Sequence, residues 1–278
     1  MNIFVKFLQV LSAEMTDPHS YGWFHFMFVG IMISLTAFLC IKFRNSNDKV
    51  FRRIVLIAWI TMLVLEIYKQ FEFSYDFVTN DLNEISVTWD YNWEAFPYQL
   101  CSTPLYVFPF IAFMKDNKFR EYLVAYVSTF SLFGGLATFC YPENVFIETI
   151  GINIQTMVHH GLQIVIGVFC IVYFRKRFNI KFYLKSLPVF GVLVSIAFFA
   201  NEIFYAIVGD AETFNMFYIS RHWRCILPIL EIIYDNIHYV PFLMLYVFGF
   251  MLVAAIIFFV AKGIMVLVNK IKAKKRYA

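Results

Sequence analysis

The chain has 278 residues, with 23 Lys and Arg against 19 Asp and Glu and a formal net charge of +4. Hydrophobic residues make up 61% of it and charged residues 15%, and the mean hydropathy is +0.68. Soluble domains are usually about 45–50% apolar and about 25% charged, so this composition excludes an ordinary soluble globular protein.

The apolar residues are gathered into blocks of about 20 residues, a length that crosses a hydrocarbon core about 30 Å thick. The blocks are too long, and lack the alternation, for the strands of a membrane barrel. Inside lipid, backbone polar groups must be hydrogen-bonded within the protein, so the spans are helices. The sequence therefore predicts an all-α, polytopic membrane protein, a single transmembrane domain over residues 1–278 with seven transmembrane helices. The predicted spans are 21–41, 54–72, 95–114, 120–141, 150–174, 183–209 and 239–268.

The segment before the first span, residues 1–20, lacks the basic start and the small-residue cleavage site of a signal peptide. Its stretch IFVKFLQVL has the composition of a short interfacial helix. A frayed terminus is the alternative interpretation.

Lys and Arg are concentrated on one side of the predicted spans. They cluster in residues 42–53, 115–120, 175–185 and 262–276. The other side carries Lys6, Lys69, Arg221 and Arg224. Since basic residues stay on the cytoplasmic side, the sequence predicts an N-terminus outside and a cytoplasmic C-terminus. We therefore expect a multi-pass protein of the cell membrane, with no nucleic-acid partner.

Polar and ionisable side chains lie in the outer halves of four predicted spans, whereas the inner halves are almost purely apolar. In chain order they are Glu66, Lys69, Gln99, Cys101, Thr103, Gln155, His159, His160, Gln163, Asn201 and Glu202. An ionisable group at membrane depth is costly, so it faces the bundle and finds partners there. We therefore predict one shared polar pocket that opens toward the outer leaflet. The alternative is a set of structural hydrogen bonds between helices.

Two ion pairs are predicted within this pocket. Glu66 and Lys69 are three residues apart on one helix, which is close enough for them to pair. Glu202 is expected to meet either Lys69 or a histidine.

The fifth span contains the stretch QTMVHHGLQ, in which two adjacent histidines point in different directions. Gln155, His159 and Gln163 form one helical stripe at i, i+4 and i+8. His160 belongs to a second stripe, about 100° round the helix. The flanking glutamines favour His159 as the working residue of the pair.

Cys101 opens the third span among polar neighbours. A buried cysteine is usually inert, and it becomes a nucleophile only with a base beside it. A histidine of the fifth span could supply that base, and Gln99 or Thr103 could donate to an oxyanion. These residues indicate a Cys–His acyl-transfer site, which needs no cofactor.

A metal site and a disulfide are two further interpretations of the histidine, glutamate and cysteine side chains. A metal ion would take His25, His159, His160 and Glu202. Adjacent histidines cannot chelate as an i, i+4 pair does, so we predict no metal site. The cysteines form no CxxC pair, and a disulfide between Cys140 and Cys225 is the one pairing that an external location would allow.

Several motifs of the chain occur together in a recognisable order. They are LEIYKQF, FPYQLCSTPLYVFP, VHHGLQIVIGVFCIVY, FANEIFYAIVG and FNMFYIS. In their order and spacing, across roughly residues 20–260, the sequence resembles the YwaF-like bacterial integral membrane proteins. That family shares a superfamily with a mammalian multispan phospholipid acyltransferase and, more distantly, with membrane threonine hydrolases of fatty-acid esters.

The resemblance implies a seven-helix fold and assigns roles to two residues. In the acyltransferase branch a cysteine that opens span three and a histidine in span five are the key residues, and they correspond to Cys101 and His160. The resemblance thus favours His160, whereas the helical stripe favours His159. The last span departs from the family pattern, because NIHYVPFLML stands where a Trp-Pro-Trp-like start is expected.

We therefore expect a membrane-embedded lipid acyltransferase or ester hydrolase that acts on a phospholipid, with Cys101 as nucleophile and His160 as base. The supporting or substrate-binding residues are His159, Gln99, Thr103, Gln155, Gln163, Asn201, Glu202, Glu66 and Lys69. The alternative is a non-catalytic transporter or lipid-binding membrane protein that uses the same polar pocket. The sequence shows neither the internal repeat nor the paired broken helices that transporters usually have.

Overall fold

A computed structural model describes residues 3–16, 18–79, 84–143 and 145–277, with side chains up to residue 273. Within these residues the chain is almost entirely helical and contains one two-stranded sheet. The helices are α1 Ile3–Leu11, α2 Trp23–Lys42, α3 Asp48–Glu72, α4 Pro104–Phe113, α5 Lys118–Tyr126, α6 Leu132–Cys140, α7 Ile150–Tyr173, α8 Ile180–Val208, α9 Leu230–Asn236 and α10 Tyr239–Tyr277. The strands are β1 Tyr75–Thr79 and β2 Ile85–Trp89.

The prediction of an all-helical, multi-pass membrane protein is confirmed at the level of helix length and composition. Within the described residues, five helical segments are long and apolar enough to cross a membrane. They are Trp23–Lys42, Lys118–Cys140, Ile150–Tyr173, Ile180–Ala211 and Tyr239–Ala273.

Two of the seven predicted spans differ from the other five. Predicted span 54–72 lies in α3, which has 25 residues but is charged near both ends. Predicted span 95–114 contains α4, which has only 10 residues and is preceded by the 3-10 turn Leu100–Ser102. A helix of 10 residues is about 15 Å long, half the thickness of the hydrocarbon core.

Helix α7 lies at the centre of the bundle, against α2, α3 and α6. Helix α6 approaches it closely because glycines face the contact. A Cβ atom added to Gly135 would lie 2.6 Å from the carbonyl oxygen of His160, and one added to Gly167 would lie 2.8 Å from Leu132 Cβ. Small residues let neighbouring membrane helices pack at short distance. The π-helical turn Val127–Ser131 joins α5 to α6 beside this contact.

One end of the bundle, here called the hairpin end, carries α1 and the β-hairpin. The strands are antiparallel, with Tyr75 opposite Trp89. The segment that follows α1 is bound to the neighbouring helices, because Tyr68 Oη donates to Leu11 O at 2.8 Å and Ile150 N donates to Ala13 O at 2.9 Å. The stretch IFVKFLQVL, for which an interfacial helix was one of two expectations, forms α1.

The other end, here called the basic end, is held together by a buried arginine. The side chain of Arg120 is 1% exposed, and its Nη2 lies 2.6 Å from Asp48 Oδ1 and 3.2 Å from Asp116 Oδ1. Arg177 Nη2 lies 2.8 Å from the other oxygen of Asp116. The hydrogen bond from Arg177 lowers the pKa of Asp116 below its usual value. The connections that follow α2, α4 and α7 are therefore tied to one another.

All five cysteines are free thiols, including Cys140 and Cys225, so the disulfide left open by the sequence is absent from this structure. Cys170 and Cys225 are buried, whereas Cys140 is exposed.

The close approach of α6 to α7 predicts a cost for one added methyl group. We expect Gly135→Ala to lower the free energy of unfolding by about 1–3 kcal/mol, the usual cost of overpacking. The methyl group would meet a backbone oxygen, which cannot move without shifting α7. The thermal midpoint of the purified protein in detergent measures this change. In Gly30→Ala the added Cβ meets nothing within 4 Å, and alanine favours the helical backbone over glycine, so this control should melt at or slightly above the wild type. Equal midpoints for the two variants would contradict the packing.

The lowered pKa of Asp116 predicts a pH dependence of stability. A carboxylate whose pKa is lowered by folding stabilises the protein above its unfolded-state pKa, about 3.9, and loses that contribution as the pH falls through its folded-state pKa. We therefore expect wild type to melt above Asp116→Asn near neutral pH, and the difference to shrink below about pH 4. Thermal midpoints measured across that range test it. A difference that does not change with pH would show that the Asp116 charge is not involved.

Candidate functional site

Cys101 lies in the chain just before α4. In space, its turn packs between α6 and α7. Cys101 occupies the 3-10 turn Leu100–Ser102, and α4 begins three residues later at Pro104, whose fixed φ angle suits the first position of a helix. A Cβ atom added to Gly134 on α6 would lie 3.5 Å from Cys101 Cα. The closest atom to that Cβ would be Gln163 Oε1 at 3.0 Å, so the absence of a side chain at Gly134 leaves room for the glutamine that binds Cys101.

Two side chains of α7 bind the backbone of Cys101. His159 Nε2 lies 3.0 Å from the carbonyl oxygen of Cys101, and Gln163 Nε2 donates to the same oxygen at 2.8 Å. The helical stripe expected from the sequence is thus present, and its members hold the turn that carries the thiol. A buried carbonyl without partners would be costly, so these bonds also stabilise the break in the helix.

The hydrogen bonds of the two histidines fix the protonation of each ring. A carbonyl oxygen only accepts, so the nitrogen that faces it carries the proton. His159 therefore donates from Nε2, and its Nδ1 carries no proton. This Nδ1 is buried and has no hydrogen-bond partner among the described residues. His160 Nδ1 donates to Thr156 O at 2.7 Å, which leaves Nε2 bare. A ring held through Nδ1–H with a free Nε2 is the arrangement that a general base needs, and His160 has it.

The thiol itself is not bound to either ring in this structure. Among the described residues, no hydrogen bond joins Cys101 Sγ to His159 or His160. The two ring centroids are 5.5 Å apart, and His159 is held against the Cys101 backbone. The structure therefore brings the predicted nucleophile and both candidate bases into one region without forming the thiol–imidazole pair.

Glu66 is the centre of a hydrogen-bonded cluster that joins α3 to α7. It is 4% exposed. Its carboxylate accepts hydrogen bonds from Lys69 Nζ at 3.4 Å, Gln70 Nε2 at 2.7 Å and Gln155 Nε2 at 3.1 Å. The predicted Glu66–Lys69 ion pair is present. Lys69 and Gln70 also donate to Ala95 O, so the cluster fixes the segment that leads to Cys101.

Lys69 connects this cluster electrostatically to the thiol and the histidines. It lies close enough to exert a coulombic effect on Cys101, His159 and His160. Glu66 acts on Cys101 with the opposite sign. In a low-dielectric interior a fixed charge acts over several ångströms. Because Lys69 and Glu66 form an ion pair, their effects on the thiol oppose each other.

The two predicted oxyanion donors are already partly committed. Thr103 Oγ1 donates to Leu100 O at 2.7 Å, and its oxygen also contacts Tyr126 Oη at 2.7 Å. Its single proton is therefore occupied. Gln99 Nε2 donates to Asn215 O at 2.9 Å, which leaves its second amide proton. Of the two, Gln99 alone keeps a free donor.

A cleft of about 260 Å³ opens beside these residues at the hairpin end. Its lining residues are Glu94, Gln99, Thr213, Asn215, Tyr218, Trp223, Arg224 and Ile226. Gln99 is two residues before Cys101, and its Oε1 is buried without a hydrogen-bond partner. Tyr218 lies close enough to Cys101 for the two to interact electrostatically. The cleft therefore reaches Gln99, two residues before Cys101, whereas Cys101, His159 and His160 are not among the described residues that line it.

Asn201 and Glu202 lie apart from the Glu66 cluster and hold the loop that follows α8. Asn201 forms two hydrogen bonds with the backbone of Met216, at 2.7 and 3.0 Å. Glu202 Oε2 lies 2.6 Å from Arg221 Nη2 and 3.5 Å from His222 Nε2. Of the two partners expected for Glu202, a histidine is found, namely His222 of this loop, whereas Lys69 pairs with Glu66. Gln99, which donates to Asn215 O, links the loop to the Cys101 turn.

The loop contains features that the sequence analysis missed. Phe217 and Tyr218 both have a positive φ, 57° and 56°. Such a backbone is uncommon for bulky residues and persists only where surrounding contacts hold it. Asn215 supplies such contacts through hydrogen bonds to Trp223 O, Arg224 O and Ser220 N. The motif FNMFYIS carries the relevant asparagine, but its partners are visible only in three dimensions.

The Glu66 cluster predicts a difference between two substitutions. Glu66→Leu leaves three buried or half-buried donors without their acceptor, and we expect it to cost about 1–3 kcal/mol of stability. Glu66→Gln keeps one acceptor oxygen and the side-chain shape, so it should cost less. Thermal midpoints in detergent measure both changes. Equal midpoints for the Leu variant and the wild type would contradict a stabilising role for the cluster.

Comparison with known proteins identifies a family for this chain. Residues 20–262 match the TMEM164 family, and this range includes Cys101, both histidines and the cleft. Searches of the curated proteins and of the solved structures gave no match. Because the family match covers most of the chain, the chain belongs to the TMEM164 family, a family of multispan membrane proteins.

Proposed function

We propose that this protein is a membrane-embedded lipid acyltransferase or ester hydrolase in which Cys101 is the nucleophile and His160 the base. The observation that carries the proposal is the arrangement around the 3-10 turn. Two side chains of α7 fix the Cys101 backbone, and the neighbouring His160 presents a bare Nε2. The resemblance to a superfamily that contains a phospholipid acyltransferase supports the same two residues.

The chemistry follows from these groups. His160 Nε2 accepts the proton of the Cys101 thiol while the sulfur attacks the ester carbonyl of a phospholipid. The ester C–O bond then breaks, the imidazolium returns its proton to the leaving alcohol, and the acyl chain stays on sulfur as a thioester. An acceptor alcohol or water, deprotonated by His160, attacks the thioester and restores the thiol. A lipid alcohol as acceptor makes the reaction a transfer, and water makes it a hydrolysis.

The surrounding residues have separate roles in this proposal. The second amide proton of Gln99 stabilises the oxyanion, because its first proton is held by Asn215 O. Lys69 adds positive charge nearby, and Glu66 with Gln155 holds Lys69 in position. His159 and Gln163 position the Cys101 turn. Asn201 and Glu202 act through the loop that borders the cleft.

The orientation in the membrane is part of the proposal. The connections at the basic end contain Arg44, Arg175 and Arg177, and the positive-inside rule places this end in the cytoplasm. With α3 and the 95–114 segment counted as spans, the chain crosses the membrane seven times and begins outside. The whole chain then forms a single transmembrane domain. Its cleft and Cys101 face the outer leaflet of the cell membrane.

A transporter or lipid-binding protein is the second candidate. It is favoured by the cluster of Glu66 and Lys69 at membrane depth, since such groups also bind or relay ions. A binding protein does not need a nucleophile at Cys101, so Cys101→Ser would leave its function nearly unchanged. The role of the thiol therefore separates the two candidates.

The test is labelling of the purified protein by an acyl-chain probe that reacts with activated thiols. We expect labelling in the wild type, none at this site in Cys101→Ala, and a rate lowered about 10²–10⁴-fold in His160→Ala, the usual contribution of a general base. Gel fluorescence and mass spectrometry of the labelled peptide give the site and the rate. The thermal midpoint of each variant shows whether it is folded.

Two further variants serve as controls. Cys225→Ala removes another buried thiol at the hairpin end, and it should leave labelling unchanged. His159→Ala removes the bond to the Cys101 carbonyl, so it should lower stability as well as the labelling rate. Wild-type protein that is folded but unlabelled, or Cys101→Ala labelled like the wild type, would overturn the assignment in favour of the transporter or lipid-binding protein.

A further inference from the structure

The segment between the cleft and α10 presents three large apolar side chains outside the protein. Ile226, Ile229 and Ile232 are 60%, 74% and 68% exposed. They lie on residues 225–236, at the hairpin end, and are here called the isoleucine lip. Isolated exposed isoleucines need no explanation, but a contiguous group beside a cleft indicates a surface that is covered by something else.

The backbone at the centre of the lip is held by the protein itself. Ile229 has φ 70° and ψ −49°, an uncommon conformation for a β-branched residue. Leu230 N donates to Pro228 O at 2.8 Å and Glu231 N donates to Leu227 O at 2.9 Å, on either side of it. The exposed Ile229 side chain is therefore presented by a fixed turn.

Ion pairs at the base of the lip fix its position relative to the cleft. Arg224 Nη1 lies 2.6 Å from Glu231 Oε1, and its guanidinium also binds Asp235. Arg224 and Ile226 both line the cleft. Of the lip, Ile226 therefore borders the cleft, and the exposed ion pairs of Arg224 hold the segment that carries Ile229 and Ile232.

The lip is followed in the chain by a helix whose surface lies in lipid. Helix α9 packs on α10 through Tyr234 and Phe242, whose ring centroids are 4.9 Å apart. Immediately after α9, the membrane-spanning α10 exposes Val240 at 65%, Met244 at 56% and Phe248 at 59%. Apolar side chains of a spanning helix that face outward contact lipid tails. The same apolar environment is adjacent to the lip.

We propose that the isoleucine lip inserts into the lipid leaflet at the hairpin end and places the mouth of the cleft at the lipid surface. The occupant of this apolar surface is thus lipid hydrocarbon. The consequence for the reaction rests on the proposed function: a lipid enters sideways from the leaflet, its polar part in the cleft and its ester near Cys101. A second copy of the chain fits less well, because three side chains fall far short of the roughly 800 Å² per partner that a stable interface buries.

Site-directed fluorescence quenching tests the insertion without depending on catalysis. The background carries Cys40→Ser, Cys101→Ser and Cys140→Ser, which removes every thiol that is not buried. A bimane label is attached to Ile229→Cys or, as a matched control, to Asp210→Cys, an exposed position of the same end. The labelled proteins are reconstituted in phosphatidylcholine nanodiscs with either spin-labelled lipid or aqueous iodide as quencher.

We expect spin-labelled lipid to quench the label at 229 several-fold more than the label at 210, and iodide to show the reverse order. Equal accessibility of both positions to iodide would overturn the proposal. A second outcome would also overturn the proposal and assign the lip to a dimer contact. In it, the label at 229 is shielded from both quenchers, and two copies of the unlabelled Ile229→Cys variant cross-link through a disulfide.

A second arm separates the lip from the reaction. In the otherwise native chain, the double variant Ile229→Ser/Ile232→Ser should reduce labelling of Cys101 by a lipid-borne acyl probe about tenfold. Its labelling by a small water-soluble thiol reagent should not change. Equal reduction with both reagents would show damage to the site and contradict lateral entry. If the wild type is not labelled by the acyl probe at all, the proposed function fails, and the quenching result still decides whether the lip inserts.

Discussion

The carbonyl oxygen of Cys101 is the group on which the site depends. A helix that breaks at membrane depth leaves backbone groups without partners, and lipid offers none. His159 and Gln163 provide two hydrogen bonds to this one oxygen, at 3.0 and 2.8 Å. The two bonds therefore satisfy a carbonyl group of the turn that no helix pairs. The polar residues of α7, which look out of place in an apolar helix, are needed for that reason.

The rest of the molecule keeps this turn in place from both ends. Glu66 and its three donors fix the chain just before the turn, and Gly134 lets α6 pack directly against it. At the basic end, Arg120 and Arg177 together join the connections that follow three helices. The helices are thereby held as a scaffold, while the strained loop with Phe217 and Tyr218 borders the cleft through Tyr218.

Sequence reasoning succeeded where the determining interaction is local. The Glu66–Lys69 pair follows from spacing on one helix, and the polar stripe of α7 follows from helical periodicity. The short α4 could not be foreseen from apolar length alone, although Pro104 marks its start. Which residues pair with Glu202 was also out of reach, because Arg221 and His222 belong to a loop whose path is set by Asn201 and Asn215. Contacts of that kind depend on tertiary structure.

Helix α10 is longer than a membrane span requires. Its 39 residues extend over about 58 Å, nearly twice the thickness of the hydrocarbon core. Lys262 Nζ donates to Phe178 O at 3.0 Å and marks the level at which the helix passes the basic end. The following turns form a cationic stalk outside the scaffold, far from Cys101. An epitope or a fluorescent protein fused there would report on insertion and folding without contacting the residues around Cys101.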